Sequence, residues 1–259
     1  MDTSAQRELA RLLASLRREH RGQSGLATHL VPPDKATAYK VAGLVADELG
    51  WPVLGWKIAA FKAELQQQLR TDSPIYGRTF FVKETPVTVV HATLASPIPE
   101  VEYQARLGAD LPPRAKPYSQ DEVTEAVASL HPGLELAECR FLHDAAFPPL
   151  PAILADGAGS GTIIYGPAIV DWKKRDIAGQ EVTLSCNGRL RRQGTAAALL
   201  DHPMAPLTWL ANELSRTGVG MKAGQMVSTG TLTGMLAPKR GETYVADFGP
   251  FGSVTVAFS

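Results

Sequence analysis

The 259-residue sequence predicts an α+β fold built on an irregular mixed or antiparallel sheet, and three observations carry that expectation. The first fifty residues have helical periodicity, residues 51–259 are mostly short strands with helices inserted among them, and no strand–helix–strand unit repeats. No G-x-G-x-x-G opens a helix after a strand and no Walker loop is present, which removes the common nucleotide-binding architectures. The length suffices for a sizeable core, and we read one domain with a helical portion at 1–50 and a strand-rich body at 51–259.

Residues 4 to about 20 place Leu9, Leu12, Leu13 and Leu16 on one helical face and arginines on the other. Asp34 is the expected N-cap of a second helix that stops at Gly50. WPVLGWKIAAF reads as extended, and FKAELQQQLRT as a short helix ending near Asp72. From Thr79 the strands TFFVKE, PVTVVHA and IPEVEYQARL follow, separated by turn residues. Ser119 and Glu122 have capping-box spacing and open a helix expected over 119–131. GLELAECRF, GSGTIIYGPAIV, EVTLSCNG and GRLRRQGTA return to strand character; PLTWLANELSR is helical; QMVSTGTLTG, ETYVADFG and GSVTVAF finish the chain as strands. The GAGSG run reads as a turn loop rather than a phosphate cradle.

Charge excludes more than it selects. With 26 basic and 26 acidic residues, bulk electrostatics predict neither a nucleic-acid nor a membrane surface. Cys139 and Cys186 form no C-x-x-C pattern, and the N-terminus has no continuous apolar core, so a cytoplasmic location is expected.

The chemistry starts in PEVEYQARL, where Glu100 and Glu102 share one face of a strand, about 7 Å apart at the base. Such a pair is either a solvated face or half of a cation site. Glu135 and Glu138 lie in LELAECRF among Leu134, Leu136 and Phe141, where a carboxylate is costly unless paired or metal-bound. Three carboxylates make a hard oxygen site suited to Mg²⁺ or Mn²⁺, with about three of six positions open.

Together with GWKIAAFKAELQQQL, PIYG, ADGAGSG and AGQMVSTGTLTG, these segments resemble the fumarylacetoacetate hydrolase superfamily. Within it they resemble the 2-hydroxypenta-2,4-dienoate (2-keto-4-pentenoate) hydratases and 4-oxalocrotonate decarboxylases, from about Leu9 to Phe258. The resemblance implies a catalytic domain with a mixed β-roll or barrel-like sheet of the fumarylacetoacetase C-terminal type and an N-terminal helical portion. It implies Glu100, Glu102 and Glu135 as metal ligands, Glu138 pairing with Arg140, Lys57 as a catalytic lysine, and Thr229 and Thr231 near substrate. Tyr76, Arg70 and Arg78 are candidates for reading a second carboxylate, and each could equally be a solvated loop residue.

Two departures from the family pattern bear on proton transfer. The acid of the segment matching PIYG is replaced by Ile75, for which Asp72 is a substitute only if the turn rearranges. The serine of the family loop falls on Gly159, with Ser160 one place later as the candidate hydroxyl.

The expected activity is a divalent-metal-dependent lyase of aromatic-compound catabolism that hydrates a 2-hydroxy-2,4-dienoate to a 4-hydroxy-2-oxo acid. The alternatives are decarboxylation of a 4-oxalocrotonate-type acid, C–C hydrolysis of an acylpyruvate, or a catalytically impaired partner of a related lyase. The resemblance also implies a homo-oligomer or assembly with a related decarboxylase or hydratase subunit.

Overall fold

The computed structural model describes residues 1–259. Two helices open it, α1 (Thr3–Arg18) and α2 (Lys35–Leu49). The Asp2 and Asp34 carboxylates accept hydrogen bonds from the amides of Ala5 and Thr37, at 2.8 and 2.7 Å, satisfying donors that the helix interior leaves free. Gly50 ends α2 at φ 64°, a conformation that costs other residues more. Leu9, Leu13 and Leu16 of α1 join Ala38, Val41 and Val45 of α2 in a cluster of 19 buried residues. Each buried leucine contributes roughly 1.5–3 kcal/mol.

The body follows as β1 (Gly55–Ala59), α3 (Ala63–Leu69), β2 (Ile75–Thr79), β3 (Phe81–Glu84), β4 (Val87–Val89) and β5 (Ile98–Leu107). Next come α4 (Gln120–Ala126), β6 (Val127–Ala137), α5 (Leu150–Ala155), β7 (Thr162–Tyr165), β8 (Val182–Cys186) and β9 (Arg189–Gly194). The chain ends with α6 (Ala196–Leu200), α7 (Met204–Arg216), β10 (Met226–Ser228), β11 (Thr243–Asp247) and β12 (Ser253–Phe258). A seven-stranded sheet has the order β2-β1-β10-β5-β6-β7-β3, and a five-stranded sheet the order β4-β12-β11-β8-β9. Parallel pairs (β1 with β10, β3 with β7) sit among antiparallel ones, so the sheet is mixed.

Only Phe80 separates β2 from β3, yet these strands occupy opposite ends of the seven-stranded order. One residue spans about 3.5 Å, so the sheet must curl until its two edges meet. Barrel-like curvature is therefore a consequence of connectivity. Val101, Tyr103 and Leu134 of this sheet pack with Leu184, Tyr244 and Val254 of the other in a 39-residue cluster.

Three expectations need correction. The helix opened by Ser119 ends at Ala126 rather than at His131, because Val127 and Leu130 pair with Leu107 and Ala105 and bury their side chains in the sheet. A strand begins at Ile75, ahead of the Thr79 from which strands were expected, and α5 appears in LPAILA, where every residue is apolar and so no period can be read. Arg17 is not solvated with the other arginines of α1 but is buried at 8% exposure.

Arg17 reaches the turn after α5, where Asp156 is fully enclosed. Its Nε lies 3.4 Å from Asp156 Oδ1, and its Nη2 donates to the Asp156 carbonyl. Arg140 Nε donates to the same carboxylate at 2.8 Å. The expected Glu138–Arg140 pair does not form: Glu138 Oε1 accepts from the Ala95 amide at 2.9 Å, leaving Arg140 to Asp156. One carboxylate thus ties the N-terminal helix to the end of β6. Asp156→Ala would leave two buried guanidinium groups without it and is expected to lower stability by about 3–5 kcal/mol, measured by denaturant unfolding.

Candidate metal centre

Glu100 and Glu135 stand directly opposite each other on β5 and β6, and Glu102 stands opposite Gly133. Alternation puts Glu100, Glu102 and Glu135 on one face of the sheet, while Val101, Tyr103 and Leu134 turn into the 39-residue core. One oxygen from each of the three carboxylates lies within 4.8 Å of the others. Exposure is 7% for Glu100, 1% for Glu102 and none for Glu135, so the solvated-face reading of Glu-x-Glu is excluded.

Lys57 enters from β1, which is joined to β5 through β10. Its register partner is Ser228, whose own partner on β5 is Gln104, so all three share the face of the carboxylates. Lys57 Nζ is 3.3 Å from Glu135 Oε2 and 4.0 Å from Glu100 Oε2. Glu102 is held differently: Oε2 accepts from Ser228 Oγ and, at 2.7 Å, from the Gly230 amide. Gln104 Nε2 donates to Ser228 Oγ at 2.9 Å and so holds that serine toward Glu102. Gly133 makes room for this arrangement, since a Cβ there would come within 2.2 Å of Gln104 Cγ.

The electrostatics show what the site lacks. Burial raises the pKa of Glu100, with Lys57 opposing. Burial followed by the charges of Glu135 and Glu100 pushes Glu102 well above the ordinary range. Burial also raises Glu135, to about 7, against the pull of Lys57. At Lys57, burial disfavours the charge, but the combined fields of Glu135, Glu100 and Glu102 outweigh it and raise the pKa. One ammonium cannot neutralise three desolvated carboxylates, and neither oxygen of Glu135 accepts a well-aligned hydrogen bond. The all-oxygen donor set and these orphaned oxygens fit a hard divalent cation.

The remaining sequence candidates are spread over several places. Ser160 is buried and donates through Oγ to the Arg78 carbonyl at 2.6 Å, and Gly161 borders the carboxylates through its amide at Glu135. Thr229 follows Ser228 just past the end of β10, its amide donating to the Tyr103 carbonyl at 3.1 Å and its Oγ1 buried without a partner; Thr231 Oγ1 accepts from the Gly234 amide at 3.1 Å, closing a local turn. Asp72 is 85% exposed and pairs with Lys35, so the turn does not bring it toward the carboxylates. Arg70 is exposed at the end of α3, at φ 54°. Tyr76 and Asp72 line a different cavity. Ile75 shares the face of Lys57 but packs, at 4% exposure, into the apolar cluster of the N-terminal helices.

Sequence reasoning misses Ser228, Gln104 and Gly230. The available signal is parity: on a strand through STGTLTG, Ser228 and Gly230 share one face, whereas Thr229 belongs to the other.

Linkage gives a test of the desolvated carboxylates. Without a cation, Glu135 takes up its proton more readily when folded, near 7 against an ordinary 4.5, so the stability from this group is complete below 4.5 and is lost as pH rises through about 7. Thermal unfolding in chelator should show the melting temperature falling across that interval. Added Mg²⁺ or Mn²⁺ should restore more stability at its upper end than at its lower end.

Residues 58–258 match the fumarylacetoacetate (FAA) hydrolase C-terminal family. A 2-keto-4-pentenoate hydratase of Paraburkholderia xenovorans is 31% identical over 216 residues, covering 81% of this chain and 77% of that protein. A 4-oxalocrotonate decarboxylase of Pseudomonas putida is 26% identical over 212 residues, covering 82% of this chain and 80% of that one. The fold superposes on 4-oxalocrotonate decarboxylase from Pseudomonas putida G7, solved with magnesium and adipate, with a TM-score of 0.90 at 22% identity, covering 100% of this chain and 99% of that one. With the curled mixed sheet and this breadth of sequence match, the chain belongs to the fumarylacetoacetate hydrolase C-terminal family.

Proposed function

We propose that this protein is a divalent-metal-dependent lyase that hydrates a short 2-hydroxy-2,4-dienoate to a 4-hydroxy-2-oxo acid. The observation that carries the reading is the buried group of Glu100, Glu102 and Glu135 around a single lysine. A hydratase relative at 31% identity supports the substrate class. Glu100, Glu102 and Glu135 would hold Mg²⁺ or Mn²⁺, which supplies Lewis acidity for a 2-oxo acid and its enolate.

The chain's own groups have separable tasks. Lys57, kept cationic by its neighbours, binds the substrate carboxylate and holds a proton at Nζ beside the site where enolate charge develops. Ser228 and the Gly230 amide fix the Glu102 carboxylate, so that little reorganisation is left for substrate binding. In hydration, the 2-hydroxyl loses its proton and C5 gains one, giving the 2-oxo-3-enoate; water then adds its oxygen at C4 and a proton at C3. The near-complete burial of Glu100, Glu102, Glu135 and Lys57 keeps bulk water from these groups and strengthens each of these contacts.

A second reading, decarboxylation of a 4-oxalocrotonate-type acid, is favoured by Ile75. An aliphatic side chain buried on the sheet face of Lys57 cannot move a proton, and loss of CO₂ needs fewer positioned proton donors than hydration. The decarboxylase relative at 26% identity belongs with this alternative. The proposed assembly is a homo-oligomer.

Proton NMR of freshly generated 2-hydroxypenta-2,4-dienoate with protein and Mg²⁺ in D₂O decides between the readings. A 4-hydroxy-2-oxopentanoate signal that chelator abolishes is expected; deuterium exchange without hydration would move the assignment to decarboxylation. Glu102→Ala should eliminate metal-dependent turnover. Lys57→Ala should lower kcat by roughly 10²–10⁴-fold while changing metal affinity much less, and equal losses would remove its substrate role.

A further inference from the structure

A second cavity, of about 650 Å³, lies between α2, β2 and α7. That volume is within the range of about 300–1,000 Å³ common for small-molecule sites. It does not belong to the carboxylate centre. Tyr76 and Arg78 pair in register with Ile58 and Trp56, whereas Lys57 pairs with Gly77; alternation therefore projects Tyr76 and Arg78 from the face opposite Lys57. The β1–β2 ladder separates the two places.

One wall of the cavity is aromatic. Tyr39 of α2 stacks on Tyr76 with ring centroids 4.2 Å apart and planes 9° from parallel, and Trp209 of α7 meets Tyr76 edge-on at 6.1 Å. The Tyr39 hydroxyl accepts from the Tyr76 amide at 3.3 Å, fixing the stack. A flat ring or conjugated chain is the natural complement of such a surface.

The charge is unbalanced. Lys35 pairs with Asp72 and Arg216 with Glu213, which neutralises both carboxylates of the lining. Lys40 and Arg78 have no acidic partner and leave two positive charges facing the cavity. Arg78 is the more informative of the two. Its guanidinium is half-buried, lies 5.1 Å from the Trp56 ring and donates to no protein acceptor, while its carbonyl is anchored by Ser160. Burial lowers its pKa, the signature of a cation short of compensating charge.

We propose that this cavity binds a planar organic anion, an aromatic or conjugated carboxylate. Its ring lies on the Tyr39–Tyr76–Trp209 wall, its carboxylate takes hydrogen bonds from Arg78, and Lys40 adds a second positive charge at the mouth. The proposal is independent of the reaction assigned to the carboxylate centre.

Isothermal titration of the full-length, chelator-treated protein with benzoate, alongside acetate and benzamide, tests it. Benzoate should bind saturably, once per chain, while acetate lacks the ring and benzamide lacks the charge. Arg78→Met should weaken benzoate by roughly ten- to hundredfold, the worth of a hydrogen bond to a charged group. Lys40→Met, at an exposed position that leaves the core untouched, should weaken it less and covers the case in which Arg78→Met does not fold. Glu102→Ala should leave benzoate affinity unchanged. No saturable benzoate binding overturns the proposal, whether or not a second copy of the chain covers the cavity. So does unaltered affinity in both cavity variants, or loss of binding in Glu102→Ala.

Discussion

Three carboxylates withdrawn from water around one ammonium are the constraint to which the rest of the structure answers. The cost of enclosing Glu100, Glu102 and Glu135 exceeds what Lys57 alone offsets, and all three carboxyl groups accordingly resist ionisation in the absence of a cation. Such an arrangement persists only where backbone geometry leaves little alternative. Here the ten-residue β5 and the eleven-residue β6 run antiparallel and put Glu100 opposite Glu135 by register rather than by side-chain choice. Binding energy for a cation is in this sense stored as electrostatic strain in a rigid sheet.

The neighbouring charge cluster has the opposite imbalance. Arg17 and Arg140 share Asp156, so two buried guanidiniums meet one carboxylate. Between this group and the glutamates runs the turn 156–161, whose Ser160 carbonyl accepts from Arg140 at 3.1 Å and whose Gly161 amide borders Glu135. Gly157 and Gly159 have φ of 80° and 73° there, and the Gly157 carbonyl would be 1.9 Å from a Cβ on Gly77. The turn therefore needs left-handed backbone at Gly157 and Gly159 and a residue without a side chain at Gly77. The N-terminal helices thus do more than cover apolar surface: through Arg17 they clamp the turn that abuts the carboxylate face.

Ile75 stands where the family resemblance led to the expectation of an acid. On the face of Lys57, an acid would add a fourth negative group near a site that already has an excess; isoleucine instead extends the apolar cluster of α1, α2 and α5 up to the edge of the site.

The two capped helices, most strands and the clustering potential of Glu100, Glu102 and Glu135 were legible in the sequence, because capping chemistry, period-2 alternation and the cost of a carboxylate among leucines are local properties. The end of α4 was not legible, since pairing of Val127–Leu130 with β5 overrode helical pattern, and neither was α5, whose wholly apolar sequence leaves no polar face to mark its period. Composition and order therefore determined the fold class, the helical N-terminus and the three carboxylates. Only the tertiary structure decided that β2 and β3 close the sheet, that Ser228 and Gly230 hold Glu102, that Arg140 chooses Asp156 over Glu138, and that Asp72 and Tyr76 belong to a separate cavity. Each of those outcomes depends on register and strand order, which bring together residues far apart in the chain, and a charge finds its partner by distance in space rather than in sequence.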